Sequence, residues 1–483
     1  MKSQEASETA ISKEWWVLFA VSLGTFLFSL DVHIVNLALP TLVEDFHSDF
    51  ATVEWVPLSY SLMLAVLVLC VARLGDMWRK KWLYIIGLTA FAISSLVCGT
   101  ATTIYLLIAA RIFQGFGAVF IAVLTPAMVT EVFPNEKRGF ALGIVASTGW
   151  AGVSLGPTVG GLLIEHWGWR SAFLINVPIS LIAMVLVIVL GPGGISHSGQ
   201  KYFDFRGALI LAITLTCFLL GMTRLQEGDL GGNITLVFLA VAIIGFVSFL
   251  LSQKKSAQPL LNLSLFRTLE LSLSLILSVF CYTFVNAVVF ILPFFLELVN
   301  HYSEQKVGLL IAVIPILGIC VAPVAGSLAD RFGERSISTI GMTLLLIGCL
   351  AIGTFSEELT VKGYLLRIIP FGIGYGLFQP PNQSAIMGSV PRQYLSVASG
   401  LWFFSRALGQ VMGITLIGIL FSRLSASQLQ VDTPFSVTTA PVEALVFGEQ
   451  VSFGIVSAIL VIALVICGFL WQRQNQRLRI NRT

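Results

Sequence analysis

A single carboxylate stands inside a membrane-length apolar run. Asp31 lies in Leu30-Asp31-Val32-His33-Ile34-Val35-Asn36-Leu37-Ala38-Leu39-Pro40, within the run over residues 16–39. At bilayer depth an ionised carboxylate is costly unless it is paired, hydrated or protonated. Such a group can take up and release a proton as its surroundings change. A cation is available at matching depth: Arg111, early in the run over 104–129. At about 1.5 Å of rise per residue, Asp31 lies about 12 Å from Leu39 and Arg111 about 10 Å from Ile104, so the two can meet at one level. The pair is either a proton site whose affinity changes as it opens, or a static contact that orients two helices. Charges inside a membrane are functional by default, which favours the first. At 100° per residue His33 points far from Asp31, as a helix–helix hydrogen-bonding residue would, and Asn36 lies nearer the opposite side.

Two charged turns form a second constellation. Residues 72–81 read Ala-Arg-Leu-Gly-Asp-Met-Trp-Arg-Lys-Lys, and residues 326–335 read Gly-Ser-Leu-Ala-Asp-Arg-Phe-Gly-Glu-Arg. A small residue lets two helix ends approach, and the aspartate can accept hydrogen bonds from a neighbouring helix N-terminus or an arginine. Asp76, Lys80 and Lys81 in the first copy, Asp330 and Arg331 in the second, and Arg406 near the end of a later run are expected to form a conformational latch. The bland alternative is ordinary basic loop chemistry at a membrane surface.

Gly152, Gly156 and Gly160 recur every four residues and make one smooth helix face, the small-xxx-small pattern of close helix contact. Pro157 removes a backbone hydrogen bond and permits a bend, and Gly161 extends the smooth surface. Asn36, Trp150, Tyr282, Asn286, Glu297 and Tyr375 are the polar and aromatic residues expected to line a substrate cavity. Glu297 reads as an outer-vestibule carboxylate that meets cations or, more readily, as an interfacial residue facing water.

The elements that must hold these groups are helices. Of 483 residues, 56% are hydrophobic and only 11% charged, against about 25% charged in soluble proteins. That excludes a soluble fold, and no basic run interleaved with aromatics suggests a nucleic-acid partner. The seven cysteines form no CxxC pair and read as small apolar residues, and the five histidines show no metal spacing. Fourteen runs approach the roughly 20 residues that cross a bilayer: 16–39, 53–72, 83–101, 104–129, 139–162, 171–191, 207–225, 233–252, 271–296, 306–328, 337–355, 361–386, 396–421 and 450–471. Lys and Arg concentrate in alternate loops and at both ends, which places the N- and C-termini in the cytoplasm. The outer loop 424–449 is expected to be long, polar and mobile.

The two turns are 254 residues apart, and Arg111 and Arg367 are 256 apart. The chain therefore reads as a duplication, an all-α polytopic membrane protein with two six-helix halves plus two extra helices. The expected divisions are 1–191, a linker with two inserted helices over 192–269, and 270–483. The glycine-rich stretch 191–201, the link Gln226-Glu227-Gly228-Asp229 and the stretch 253–270 join them.

Together these features resemble the major facilitator superfamily over essentially the whole chain. Residues 326–335 fit its GxLADRxGxR loop signature, and the first copy departs from it at Ala72, Met77 and Arg79. Gly156, Pro157, Gly160 and Gly161 look like the fifth-span glycine motif of the family's antiporters. Residues 30–40 are similar to the first-helix motif of the fourteen-span drug:proton antiporters, with His33 in place of the usual threonine. Arg111-Ile-Phe-Gln-Gly-Phe-Gly resembles their RxxQGxG motif. The resemblance implies proton coupling through Asp31 and Arg111, and export of small amphipathic or cationic substrates in exchange for protons. It also implies a monomer without cofactors, driven by the proton gradient, in the lipid bilayer of a bacterial inner membrane. The alternatives are a dedicated exporter of one metabolite, siderophore or lipid, and a non-transporting membrane sensor. A channel would need rings of polar pore residues, and an enzyme a convergent catalytic set; the sequence offers neither.

Overall fold

The structure is a computed structural model that describes residues 2–48, 50–191, 203–226, 232–256, 259–427 and 441–480. Lipid offers no partner for a backbone N–H or C=O, so an apolar run must satisfy its own hydrogen bonds, and a helix does so within one segment. The long helices are α1 (Lys2–Phe46), α2 (Trp55–Met77), α3 (Lys80–Gly99), α4 (Ile104–Val132), α5 (Asn135–Trp167) and α6 (Asn176–Leu190). They continue as α7 (Phe205–Gln226), α8 (Asn233–Lys255), α9 (Leu269–Phe294), α10 (Val313–Phe332), α11 (Glu334–Ile352) and α12 (Val361–Gly388). The last two are α13 (Leu395–Met412) and α14 (Val442–Ile480). Wide π-helical turns prolong α9 over Phe295–Val299 and α13 over Gly413–Ile417, and α13 then runs on through Gly418–Ser427.

Among the described residues, 13 helical segments are long and apolar enough to cross a membrane. The remaining long helix is α12, with 28 residues. Lys362, Arg367, three prolines and the buried polar set Gln379, Asn382, Gln383 and Ser384 dilute its apolar character.

Two features differ from expectation. First, α1 runs through Pro40 to Phe46, well past residue 39. Proline removes one hydrogen bond but need not end a helix whose remaining ladder is intact. Second, both shoulders of the expected loop 424–449 are helical, as far as Ser427 and again from Val442. Hydropathy marks where a helix leaves the bilayer, while helical bonding continues into polar sequence. Residues 428–440 of that loop, 192–201 of the glycine-rich linker, 227–229 of the acidic link and 257–258 of the second linker lie outside the described residues.

The chain divides into two compact units. The first comprises residues 1–216, 241–265 and 387–404; the second comprises 217–240, 266–386 and 405–483. In the first, α1, α2, α3 and α4 bury Val35, Leu42, Val56, Cys98, Leu107 and Phe173 in one cluster. There α3 and α4 cross at glycines: a Cβ on Gly117 would lie 2.6 Å from the Phe91 backbone nitrogen, and one on Gly87 would lie 2.5 Å from the Phe120 Cβ. In the second, α11 and α12 cross the same way. A Cβ on Gly341 would lie 2.7 Å from the Phe378 nitrogen, and one on Gly374 would lie 2.5 Å from the Leu345 nitrogen. Gly87 and Gly341 are 254 residues apart, so the duplication extends from the turns into the packing.

The two charged turns are not identical in conformation. Gly333 has φ +92°, which side-chain-bearing residues rarely adopt. The matching Arg79 has φ −65°, so a side chain is accommodated there.

Candidate functional site

A buried polar cluster of the first unit is centred on Asp31. It is 0% exposed and Arg111 is 1% exposed. Arg111 Nη1 donates to Asp31 Oδ2 at 2.7 Å and to Gln114 Oε1 at 2.6 Å. Arg111 Nε donates to the Val56 carbonyl at 3.2 Å, and the guanidinium carbon sits 4.2 Å from the centre of the Tyr60 ring. The other carboxylate oxygen, Oδ1, accepts from Gln114 Nε2 at 2.9 Å and from Asn176 Nδ2 at 2.7 Å. Gln114 Nε2 also donates to Ser95 Oγ at 2.8 Å. One carboxylate thus ties α1 to α4 and α6, and through its partners to α2 and α3. In a low-dielectric interior such charge-assisted bonds are strong, and removing one member leaves an uncompensated charge.

Gln114 and Asn176 carry amides that donate from one end and accept from the other, so each can face a carboxylate or an acid. Asn176 Oδ1 has no hydrogen-bond partner among the described residues, which leaves an acceptor beside Asp31. Arg111 also holds the Gln114 oxygen, the Val56 carbonyl and the Tyr60 face, apart from Asp31.

The glycine face of α5 packs on α1, the helix that carries Asp31. A Cβ on Gly152 would lie 2.7 Å from the Ser29 Cβ and 2.8 Å from the Phe26 carbonyl oxygen. One on Gly156 would lie 2.6 Å from the His33 Cβ, and one on Gly160 would lie 3.2 Å from two Ile34 carbons. Gly161 faces open space, with nothing within 4 Å. Pro157 lies inside the unbroken helix α5. His33 Nδ1 is 2.8 Å from the Ser29 carbonyl oxygen of its own helix.

Asp76 caps the start of α13. Its Oδ1 accepts from the Ser396 backbone N–H at 2.8 Å and its Oδ2 from the Val397 N–H at 3.0 Å. These are first-turn donors of a helix, where a carboxylate also meets the positive end of the helix dipole. Lys80 pairs with Glu131 at 3.1 Å, and Lys81 Nζ donates to the Ile188 and Gly191 carbonyl oxygens at 2.8 and 3.3 Å, closing the C-terminal end of α6. Asp330 is half-buried, and Arg331 is exposed with its guanidinium 5.2 Å from the Phe332 ring. Replacing Asp76 by alanine strands two buried N–H donors and is expected to cost about 1–3 kcal/mol for each. Asp76→Asn keeps one acceptor oxygen and should lose less. Thermal unfolding in detergent checks this ranking, and an Asp76→Ala protein as stable as wild type would contradict it.

Part of the expected cavity set comes together in the second unit. The Tyr282 and Tyr375 rings meet edge to face, 5.8 Å apart at 90°. Arg406 lies over Tyr282 at 5.0 Å, beside these aromatics, and Asn286 donates to the Tyr282 carbonyl at 2.8 Å. Glu297 is exposed on the wide turn after α9. Asn36, exposed, and Trp150, half-buried, belong to the first unit. Arg367, the sequence mate of Arg111, bonds to Thr354 Oγ1 at 3.0 Å and to the Gly363 carbonyl at 3.2 Å. The duplication therefore does not repeat the buried ion pair at that position.

Asn176, Ser95 and Tyr60 are site residues that sequence reasoning passed over, and Gln114 was placed in the RxxQGxG motif without a role of its own. Gln114 carried a signal, because it lies three residues after Arg111 and so shares its helix face. Asn176 carried none, since its place beside Asp31 depends on how α6 packs.

The Major Facilitator Superfamily family model matches residues 21–414, and the chain belongs to that superfamily. It is a multi-pass integral membrane transporter rather than an enzyme. Riboflavin transporter RibZ of Clostridioides difficile (strain 630) is 30% identical over 466 residues, 96% of this chain and 99% of RibZ. Multidrug resistance protein Stp of Mycobacterium tuberculosis is 32% identical over 415 residues, 85% of this chain and 76% of Stp. The crystal structure of the human organic anion transporter MFSD10 (TETRAN) has a TM-score of 0.67 at 15% identity, over 94% of this chain and 99% of that one, a likeness of fold.

Proposed function

We propose that this transporter is a proton-coupled antiporter that exports lipophilic or cationic small molecules by alternating access, powered by the proton gradient without a cofactor. The observation that carries this is the Asp31 carboxylate, fully buried and gripped by Arg111, Gln114 and Asn176. While the pair is closed, Arg111 stabilises the ionised form. Once Arg111 moves away, a buried carboxylate without a counter-charge favours the neutral acid and takes a proton. Re-forming the pair expels that proton. Exposure of Asp31 to opposite sides in the two conformations would couple proton entry to substrate exit. The glycine face of α5 lets α1 slide or rotate without side-chain interference. Asp76, Lys80, Lys81, Asp330 and Arg331 would hold one conformation until the next step releases it.

The likeness to Stp supports a multidrug substrate range, and bacterial relatives fit a bacterial inner membrane. A second reading, a transporter dedicated to one compound of the flavin type, is favoured by the likeness to RibZ over nearly the full length of both chains. Proteoliposomes with an interior pH dye and an imposed pH gradient separate the two. Lipophilic cations, neutral amphiphiles and riboflavin would be added in turn. Proton movement with several cations and amphiphiles is the expected result. Movement with riboflavin alone would install the second reading, and substrate flux with no proton movement would overturn antiport.

A further inference from the structure

Besides Asp31 and the capping Asp76, another carboxylate is buried in this molecule, in the other unit and without a hydrogen-bond partner among the described residues. Glu449 is 0% exposed, on the face of α14 that also buries Leu445, Phe453 and Val456. Neither of its oxygens has a hydrogen-bond partner among the described residues. The contrast with Asp31 is direct: one carboxylate sits in a cage of donors, the other has none. Glu449 lies seven residues into α14, about 10 Å along the helix from Val442. It is therefore inside the apolar span Val442–Gln474 but near one end of it.

Adjacent turns carry two hydroxyls without a hydrogen-bond partner among the described residues. Ser452, one helical turn further on and on the same side, has an unpartnered Oγ. The Ser425 hydroxyl, from the end of α13, rests on Gly448 and is also unpartnered. The elements packed against α14 are chiefly α9 with its terminal wide turn, α11 and the Gly418–Ser427 end of α13. Among the described residues, no cation is paired with Glu449. Arg423 on the α13 end is exposed, as is Glu297 on the wide turn. Glu334 and Arg335 lie at the start of α11, whereas its other end meets α14 where Gly353 approaches Phe453. Cys349 on α11 is a buried thiol, and α9 offers Cys281, Tyr282 and, at its far end, Glu270. On α14 itself Glu443 is exposed.

An ionised carboxylate in such a place is costly, and the neutral acid is the form that fits. We propose that Glu449 is a second proton-binding site of this chain, separate from Asp31, which carries its proton in the conformation described here and exchanges it with water through the nearby end of α14. The site does not depend on the antiport assignment, because its ligand is the proton alone.

Infrared spectra of the purified, reconstituted protein test this without any transport assay. At neutral pH the wild type should show the carbonyl stretch of a protonated carboxyl group. That band should shift on exchange into heavy water, be lost in Glu449→Gln and persist in Asp31→Asn. Glutamine matches the neutral acid in shape, so this variant is expected to fold. Should it not, Glu449→Asp keeps the acid and must move the band. No band that follows Glu449 at neutral pH would mean that the group is ionised and the proposal fails. A band that never shifts in heavy water would mean a sealed structural acid, which also overturns it.

Discussion

Replacing Arg111 by alanine is expected to destabilise the protein by about 3–5 kcal/mol, the usual consequence of stranding one half of a buried ion pair, and to abolish transport. The loss is large because Arg111 has four partners at once: Asp31, Gln114, the Val56 carbonyl and the Tyr60 ring. Truncation leaves a cavity where a buried guanidinium stood and removes the counter-charge of a carboxylate with no access to water. A companion change separates stability from coupling. Asp31→Asn in the Arg111→Ala background removes the stranded charge and should recover part of the stability while transport stays absent. Thermal unfolding and flux on the same preparations read both quantities. An Arg111→Ala protein that unfolds with the wild type, or that transports normally, would show the pair to be dispensable.

Gly156→Leu is expected to stop turnover in a protein that still reaches the membrane. Even a Cβ at this position would lie 2.6 Å from the Cβ of His33, well inside van der Waals contact. A leucine must push α1 away from α5, at a cost of about 1–3 kcal/mol for overpacking. The displaced helix carries Asp31, so the carboxylate would leave the register in which Arg111, Gln114 and Asn176 meet it. Gly161→Ala is the control. Nothing lies within 4 Å of that position, so a methyl group meets no neighbour and turnover should be unchanged. Normal turnover in Gly156→Leu would make the close approach of α1 and α5 irrelevant to function.

The architecture was legible because a bilayer leaves few choices. Apolar runs of sufficient length must become helices, and depth counted at a fixed rise per residue was enough to bring Asp31 and Arg111 to one level. Their companions were less accessible. Gln114 could be inferred from its three-residue spacing to Arg111, but Asn176 reaches Asp31 only through the packing of α6 on α1. Glu449 was hidden by a boundary: hydropathy begins the last apolar run at residue 450, while the helix begins at Val442 and buries the preceding turn. The repeat was visible in the charged turns. Its deeper trace, the paired crossings at Gly87 with Gly117 and Gly341 with Gly374, needs coordinates, since glycine spacing within one helix does not say which backbone it meets. The turns themselves differ where Gly333 takes a left-handed conformation and Arg79 does not.

The central claim is that Asp31 carries the coupled proton, and substrate-driven proton flux in Asp31→Asn tests it most directly. Asp31→Asn strands the Arg111 charge, but the guanidinium keeps Gln114, the Val56 carbonyl and the Tyr60 ring, so a less stable yet folded protein is expected. Proteoliposomes containing wild type or Asp31→Asn would be matched for protein content, given the same pH gradient and challenged with a substrate found for the wild type. The account predicts proton movement upon substrate addition in the wild type and none in Asp31→Asn, with substrate binding by thermal shift retained in both. Full substrate-coupled proton movement in Asp31→Asn would contradict it.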